Sequence, residues 1–278
     1  MPLQALVWLL LQKNNLANKG SYWVKYKAAL NDGTDLGRPE RIPHVPISEE
    51  LKIKFEEGQV LLLDKPLHWT SFDIVRKIRN AIKIKKVGHA GTLDPLATGL
   101  LIVCTGKFTK KINEYMAQEK EYTGSFTLGA ITPTYDREST PYDIKEYRHL
   151  ASEAIYAATK KFVGEIQQVP PIYSAIKKEG VAAYDLARRG EDVELKARTI
   201  NIHHFEITAL ELPLVSFKVV CSTGTYIRSL AHDFGSHLGC GAYLSELRRT
   251  RIGAHTVENA LTIEGFLERL KGDNLPTS

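Results

Sequence analysis

Residues Val87–Gly99, VGHAGTLDPLATG, most restrict what this chain can become. They carry His89, Asp94 and the glycines Gly88, Gly91 and Gly99 without helical or strand periodicity, between a basic run and the apolar Leu100–Cys104. Such a stretch reads as a structured loop. Pro95 fixes its own φ and pushes Asp94 out of the helical region, so the carboxylate is offered from a restricted backbone. Taken alone, an Asp-Pro pair is most often a simple turn.

Regular elements are expected on both sides of the loop. Upstream, SEELKIKFEEG suggests a short helix and QVLLLDKP an apolar strand ending in Lys65 and Pro66. In HWTSFDIVRKIRNAIK, Thr70 or Ser71 can cap a helix whose Ile74, Val75, Ile78 and Ile82 share one face. Downstream, LLIVC reads as a buried strand and KFTKKINEYM as a short helix. EYTGSFTLGA puts Tyr122, Gly124, Phe126 and Leu128 on one face, a strand with one side buried. A helix over about His149–Val163 precedes QQVPPIYSAIKKEGVAAYDLARRG, where Tyr173 and Tyr184 interleave with Lys177, Lys178, Arg188 and Arg189. That mixture suits a loop clasping RNA, and on composition a helical hairpin with a charged face equally well. The run Val193–Cys221 is strand-rich. Thr225 can then cap a helix with an apolar stripe of Ile227, Leu230, Ala231, Phe234 and Leu238. Arg228 falls in that helix's first turn, off the stripe, where the dipole gives a cation nothing; a buried carboxylate is its natural partner.

Composition narrows the classes. With 37 Lys+Arg against 32 Asp+Glu and a pI near 8.9, the 278-residue chain permits an RNA partner without demanding one. Cys104, Cys221 and Cys240 are odd in number and far apart, as in a cytosolic protein with reduced thiols. His203 and His204 lack further ligands, so no metal is expected. Gly99 and Gly106–Lys107 are spaced wrongly for a phosphate loop, and Phe108 stands where Ser or Thr is needed. The opening PLQALVWLLLQ is too short to cross a bilayer and lacks the flanks of a signal peptide. Residues 1–46 show no sustained period and read as an N-terminal extension, disordered or the product of a start codon chosen too early. The main domain is then 47–278.

GHAGTLDPLATG closely resembles the catalytic loop of the TruB-type tRNA pseudouridine synthases, and the resemblance runs from about Glu57 to Leu270. It implies an α+β pseudouridine synthase fold: a long mixed, mainly antiparallel sheet, flanking helices, a central active-site cleft, and an RNA-binding thumb inserted at about 168–192. It implies isomerisation of uridine 55 in the T loop of tRNA, without a cofactor, with Asp94 as the indispensable carboxylate. Arg228 would pair with Asp94, and Tyr122 would stack on the target base and take the C5 proton at the end, so that Asp94, Tyr122 and Arg228 form the catalytic set. Lys65 and Pro66 belong to the family's first motif and are assigned to substrate binding. GTYIR and GCGAYLSELRR place Tyr226 and Leu247 around the uridine, and His89 would help hold the displaced RNA. Tyr173, Lys177, Lys178, Arg188 and Arg189 of the thumb, with Arg248 and Arg249, would contact RNA. The partner implied is the tRNA T arm, bound by a cytoplasmic monomer with no guide RNA and no membrane. Many relatives continue into a PUA domain, for which no room is seen after TIEGFLERLKGDN. Two other classes are a catalytically silent tRNA-binding or tRNA-folding protein and the synthase subunit of a guide-RNA-directed particle.

Overall fold

Side-chain caps start the first two helices of the described residues. Ser48 Oγ accepts from the Leu51 N–H at 3.2 Å and opens α1 (Glu49–Glu57). Thr70 and Asp73 form a reciprocal capping box, both bonds 3.0 Å, that opens α2 (Ser71–Ile82). Of the two candidate caps, Thr70 is therefore the one used. The apolar face of α2 buries Ile74, Val75, Ile78 and Ile82, each worth about 1.5–3 kcal/mol relative to exposure. The computed structural model describes residues 47–272, apart from 179 and 192 and the side chains of 177, 178 and 182. The expected extension, residues 1–46, lies outside the described residues.

Between the helices runs β1 (Val60–Lys65), and after α2 come β2 (Val87–Ala90) and β3 (Ala97–Thr105). A 3-10 turn, Gly106–Lys111, leads into α3 (Ile112–Ala117) and β4 (Lys120–Leu128). Next are α4 (Ser152–Ala158), β5 (Gly164–Gln168), the small hairpin β6 (Lys177–Lys178) and β7 (Val181–Ala182), and α5 (Ala183–Arg188). Two long strands, β8 (Arg198–Glu211) and β9 (Leu214–Cys221), precede α6 (Ile227–His237). The described residues end with β10 (Ala242–Ile252), β11 (His255–Thr256) and α7 (Ile263–Lys271).

Nine strands form one sheet with the order β1-β3-β10-β4-β9-β8-β5, with β2 on β3 and β11 on β10. The β3–β10 ladder is parallel and the other ladders of this sheet are antiparallel. This is the mixed, mainly antiparallel α+β sheet expected. Strand β3 is buried on both faces: Leu101 and Val103 pack with α1, α2 and α7, while Leu100, Ile102 and Cys104 pack with Ala90 and Ile252. Its unbroken apolar run follows from that. A third cluster fills the other half, where Phe126 stacks on Phe217 at 4.3 Å and tilts against Phe234 at 5.7 Å.

Three details differ from expectation. The stretch read wholly as loop begins with β2 and ends in β3, leaving Gly91–Leu96 as the loop proper. Thr225 does not cap α6: its hydroxyl donates to Ser222 O at 3.0 Å, and Tyr226 is the N-cap. The helix expected over 149–163 is the shorter α4 followed by a 3-10 turn, Thr159–Lys161.

Candidate active site

The loop between β2 and β3 is clamped from three sides. Ser71 Oγ accepts from Leu93 N at 2.9 Å and donates to Leu93 O at 3.2 Å. His68 N donates to Pro95 O at 2.8 Å. Arg249 donates from Nη2 to Gly91 O at 3.1 Å and from Nε to Leu100 O at 2.8 Å. Gly99 (φ 102°) lets the backbones meet, since a Cβ there would sit 2.2 Å from Arg249 O. Asp94 thus projects from a fixed backbone.

Its carboxylate meets Arg228 side-on, with Nε to Oδ2 at 2.9 Å and Nη2 to Oδ1 at 3.3 Å. The Asp94 side chain is 39% exposed and that of Arg228 only 7%. The remaining nitrogen, Nη1, donates to Thr134 O at 3.2 Å and Tyr173 O at 3.0 Å. Asp136 Oδ2 lies 3.9 Å from Nε, and its Oδ1 accepts from Thr134 Oγ1 at 2.6 Å and Glu138 N at 2.8 Å. Burial pushes the Asp136 carboxyl above the usual carboxylate range, against the pull of Arg228. A buried guanidinium with two carboxylates and two carbonyls has its directions fixed.

A shallow cleft opens beside the pair, lined by Asp94, Leu96, Ala97, Asp136 and the β10 residues Leu244–Leu247. Leu247 pairs with Ala97 across the parallel ladder, which brings it to this wall. Tyr122 sits on β4 in register with Arg249, and only 8% of its surface is exposed. Burial raises the pKa of its hydroxyl, opposed by the Arg249 charge, so the phenol holds its proton at neutral pH. His89 lies on β2 opposite Val103, its pKa lowered by burial and by Arg249. The Tyr226 backbone is clasped by Gln168, N–H to Oε1 at 2.8 Å and Nε2 to C=O at 3.1 Å, with Arg198 5.4 Å above its ring.

Several residues assigned to binding have other work. Lys65 is fully buried, and Nζ donates to Pro66 O at 3.0 Å and Trp69 O at 2.6 Å. It therefore holds the 66–69 turn against the loop rather than touching a substrate. Burial lowers its pKa to about 8, with Asp94 pulling the other way. Arg249 is 1% exposed and bonded to backbone carbonyls, so it cannot reach a phosphate. Arg248 turns to Asp64, with Nη2 to Oδ2 at 2.7 Å and Nη1 to Oδ1 at 3.0 Å. Arg249 is thereby corrected from an RNA contact to an internal anchor, while Arg248, its side chain 40% exposed, pairs with Asp64 at the surface. In the thumb, Tyr173 contributes its carbonyl to Arg228. Arg188 and Arg189 remain exposed, with long pairs to Glu138 (3.8 Å) and Glu191 (3.7 Å), and Arg188 lies over the Tyr184 ring at 5.5 Å. The side chains of Lys177 and Lys178 lie outside the described residues.

Asp136 and Thr134 were missed. ITPTYD reads as a polar turn, and nothing local marks its one carboxylate, Asp136, as buried. Among the described residues, no group of three metal-ligating side chains is placed to hold an ion, and no helix is long and apolar enough to cross a membrane. The three cysteines are free and buried.

Sheet, cleft and carboxylate–arginine pair together define a protein of the pseudouridine synthase fold. Two solved structures agree: that titled a Cbf5-Nop10-Gar1 complex (TM-score 0.63, 32% identity, 82% of this chain and 59% of that one) and an H/ACA RNP bound to a substrate RNA containing 2'-deoxyuridine (TM-score 0.60, 30%, 82% and 58%). The chain thus spans a little under three fifths of each of those chains. Family models described as TruB family pseudouridylate synthase (N terminal domain) and tRNA pseudouridylate synthase B C-terminal domain match residues 79–227 and 228–274. The chain belongs to the TruB family of pseudouridylate synthases. Proteins named tRNA pseudouridine synthase B from Flavobacterium johnsoniae and Phocaeicola vulgatus are 53% and 50% identical, each over 78% of this chain and over 98% and 95% of the relative.

Proposed function

We propose that this protein converts uridine 55 in the T loop of tRNA to pseudouridine, without a cofactor, acting as a cytoplasmic monomer that needs no guide RNA. The observation that carries the reading is the side-on Asp94–Arg228 pair at the edge of a cleft, in a chain of this family. The reaction breaks the bond from ribose C1′ to uracil N1, turns the base, joins C1′ to C5, and moves the C5 proton to solvent while N1 regains one. Asp94 is exposed enough to meet the nucleotide, as nucleophile at the sugar or as base for a ribose proton, and either role needs it ionised. Arg228 pairs with it side-on and aims it. Tyr122, protonated at neutral pH, would stack on the uracil, and Leu247 lines the cleft beside Asp94. Extruding the base from a folded loop costs a few kcal/mol, which stacking and cation–phosphate contacts at the thumb offset.

The resemblance to the H/ACA particle favours a second reading, a synthase directed by guide RNA. One assay separates them. Purified protein, alone with an unmodified tRNA transcript, should form one pseudouridine per tRNA, located at position 55. Product that appears only with added guide RNA supports the second reading, and tight binding without product leaves a silent tRNA binder.

A further inference from the structure

Arg228 is held by a loop as well as by Asp94. Thr134 and Asp136, which give it a carbonyl at 3.2 Å and a carboxylate at 3.9 Å, flank Tyr135. Tyr135 has φ 61°, the left-handed region that an aromatic side chain seldom occupies. A residue stays there only when its surroundings hold it. The backbone is pinned at both ends, the Tyr135 N–H donating to Thr132 O at 3.1 Å and its carbonyl accepting from Leu244 N at 2.9 Å. The ring is held as well, flat on His232, with centroids 4.1 Å apart and planes 13° from parallel. His232 stands four residues beyond Arg228 on α6, so the two share a helical face. One face of one helix therefore grips this loop twice, through a guanidinium and through a ring. The His232 Nδ1 is buried with no hydrogen-bond partner among the described residues, and burial lowers the ring's pKa, so the stack joins two neutral rings.

We infer that His232 is a positioning residue for Arg228: its stack on Tyr135 fixes the 132–136 loop where Thr134 and Asp136 orient the guanidinium towards Asp94. The inference rests on the proposed reaction for its kinetic reading but not for its geometry. Without the ring, the left-handed turn loses its aromatic contact, and the backbone and hydroxyl bonds that remain, Thr132 Oγ1 to Asp136 O at 2.7 Å among them, must hold it alone. The Thr134 carbonyl and Asp136 carboxylate then shift together, and Arg228 loses its fixed angle. The ring's face matters, not its nitrogens.

The test compares His232→Ala with His232→Phe in the full chain. Alanine should lower kcat on tRNA by roughly 10- to 100-fold, the scale of an ångström-sized misplacement, with KM for tRNA unchanged. Phenylalanine should recover most of the rate. Independently of turnover, the Arg228 Nε–H resonance, assigned by its loss in Arg228→Lys, should move or broaden with alanine and return with phenylalanine. Wild-type kcat in His232→Ala, equal loss with phenylalanine, or an unmoved Arg228 resonance would overturn the inference. A wild-type chain that forms no pseudouridine overturns the proposed reaction instead, and the resonance then decides the stack alone.

Discussion

Asp94 and Asp136 share one arginine and differ in exposure, their side chains 39% and 8% exposed, and the difference divides their roles. Asp94 can be touched by a substrate. Asp94→Asn preserves shape and polarity but removes the charge, so pseudouridine formation should fall to background while tRNA binding stays within about twofold; turnover by that variant, with deamidation excluded by mass spectrometry, would end the assignment. Asp136 acts from behind. Because burial raises its pKa, the folded protein keeps a proton that the unfolded chain has already released. Its contribution to stability is therefore full below the ordinary carboxylate pKa and is lost as pH rises through the folded value. Asp136→Asn should remove that dependence from a series of acid-side melting curves and, by freeing one side of Arg228, lower kcat more than it changes KM. At this scale the sequence was half legible. Arg228 announced its need for a carboxylate by standing in a first turn off the apolar stripe. Asp136 did not, because its burial depends on β10 passing beside a turn more than a hundred residues earlier in the chain.

Helix α2 links local sequence to the site, since the serine that begins it also holds the residue before Asp94. Ser71→Ala would leave the buried Leu93 N–H without a partner, a loss of about 1–3 kcal/mol. We expect a lower melting temperature and a kcat reduced more than KM is raised. A stable variant of unchanged kcat would show that the Asp94 loop does not depend on this clamp. The helix itself was readable from Ile74, Val75, Ile78 and Ile82, because a 3.6-residue period needs no knowledge of the partner. Strand position in the sheet was not readable. Arg248–Arg251 resembles a basic edge only until β10 is found between β3 and β4, where Arg249 faces the interior and Arg248 faces Asp64. Short pieces such as β2 and the β6–β7 hairpin lack the length to show a period at all.

For the whole molecule, the inward turn of the β10 arginines changes where RNA can be gripped. The β10 arginines add little free cation, since Arg248 and Arg251 are paired with Asp64 and Glu119 and Arg249 is buried on backbone carbonyls. The thumb keeps Arg188 and Arg189 exposed, and their pairs at 3.8 and 3.7 Å are too long and too wet to compete with phosphate. The thumb is also tied to the chemistry, because Tyr173 at its base gives its carbonyl to Arg228. On the proposed reading, recognition and catalysis would meet close to Asp94. An isolated T-arm hairpin should accordingly be modified nearly as well as intact tRNA. Removing the charges of Arg188 and Arg189 should weaken binding at low salt and reduce the salt slope by about one per arginine, with little change in single-turnover rate at saturation. Should the hairpin stay inert while whole tRNA reacts, contacts beyond the T arm are required. Should the arginine variants bind normally but react slowly, the thumb acts through Tyr173 and Arg228 rather than through charge.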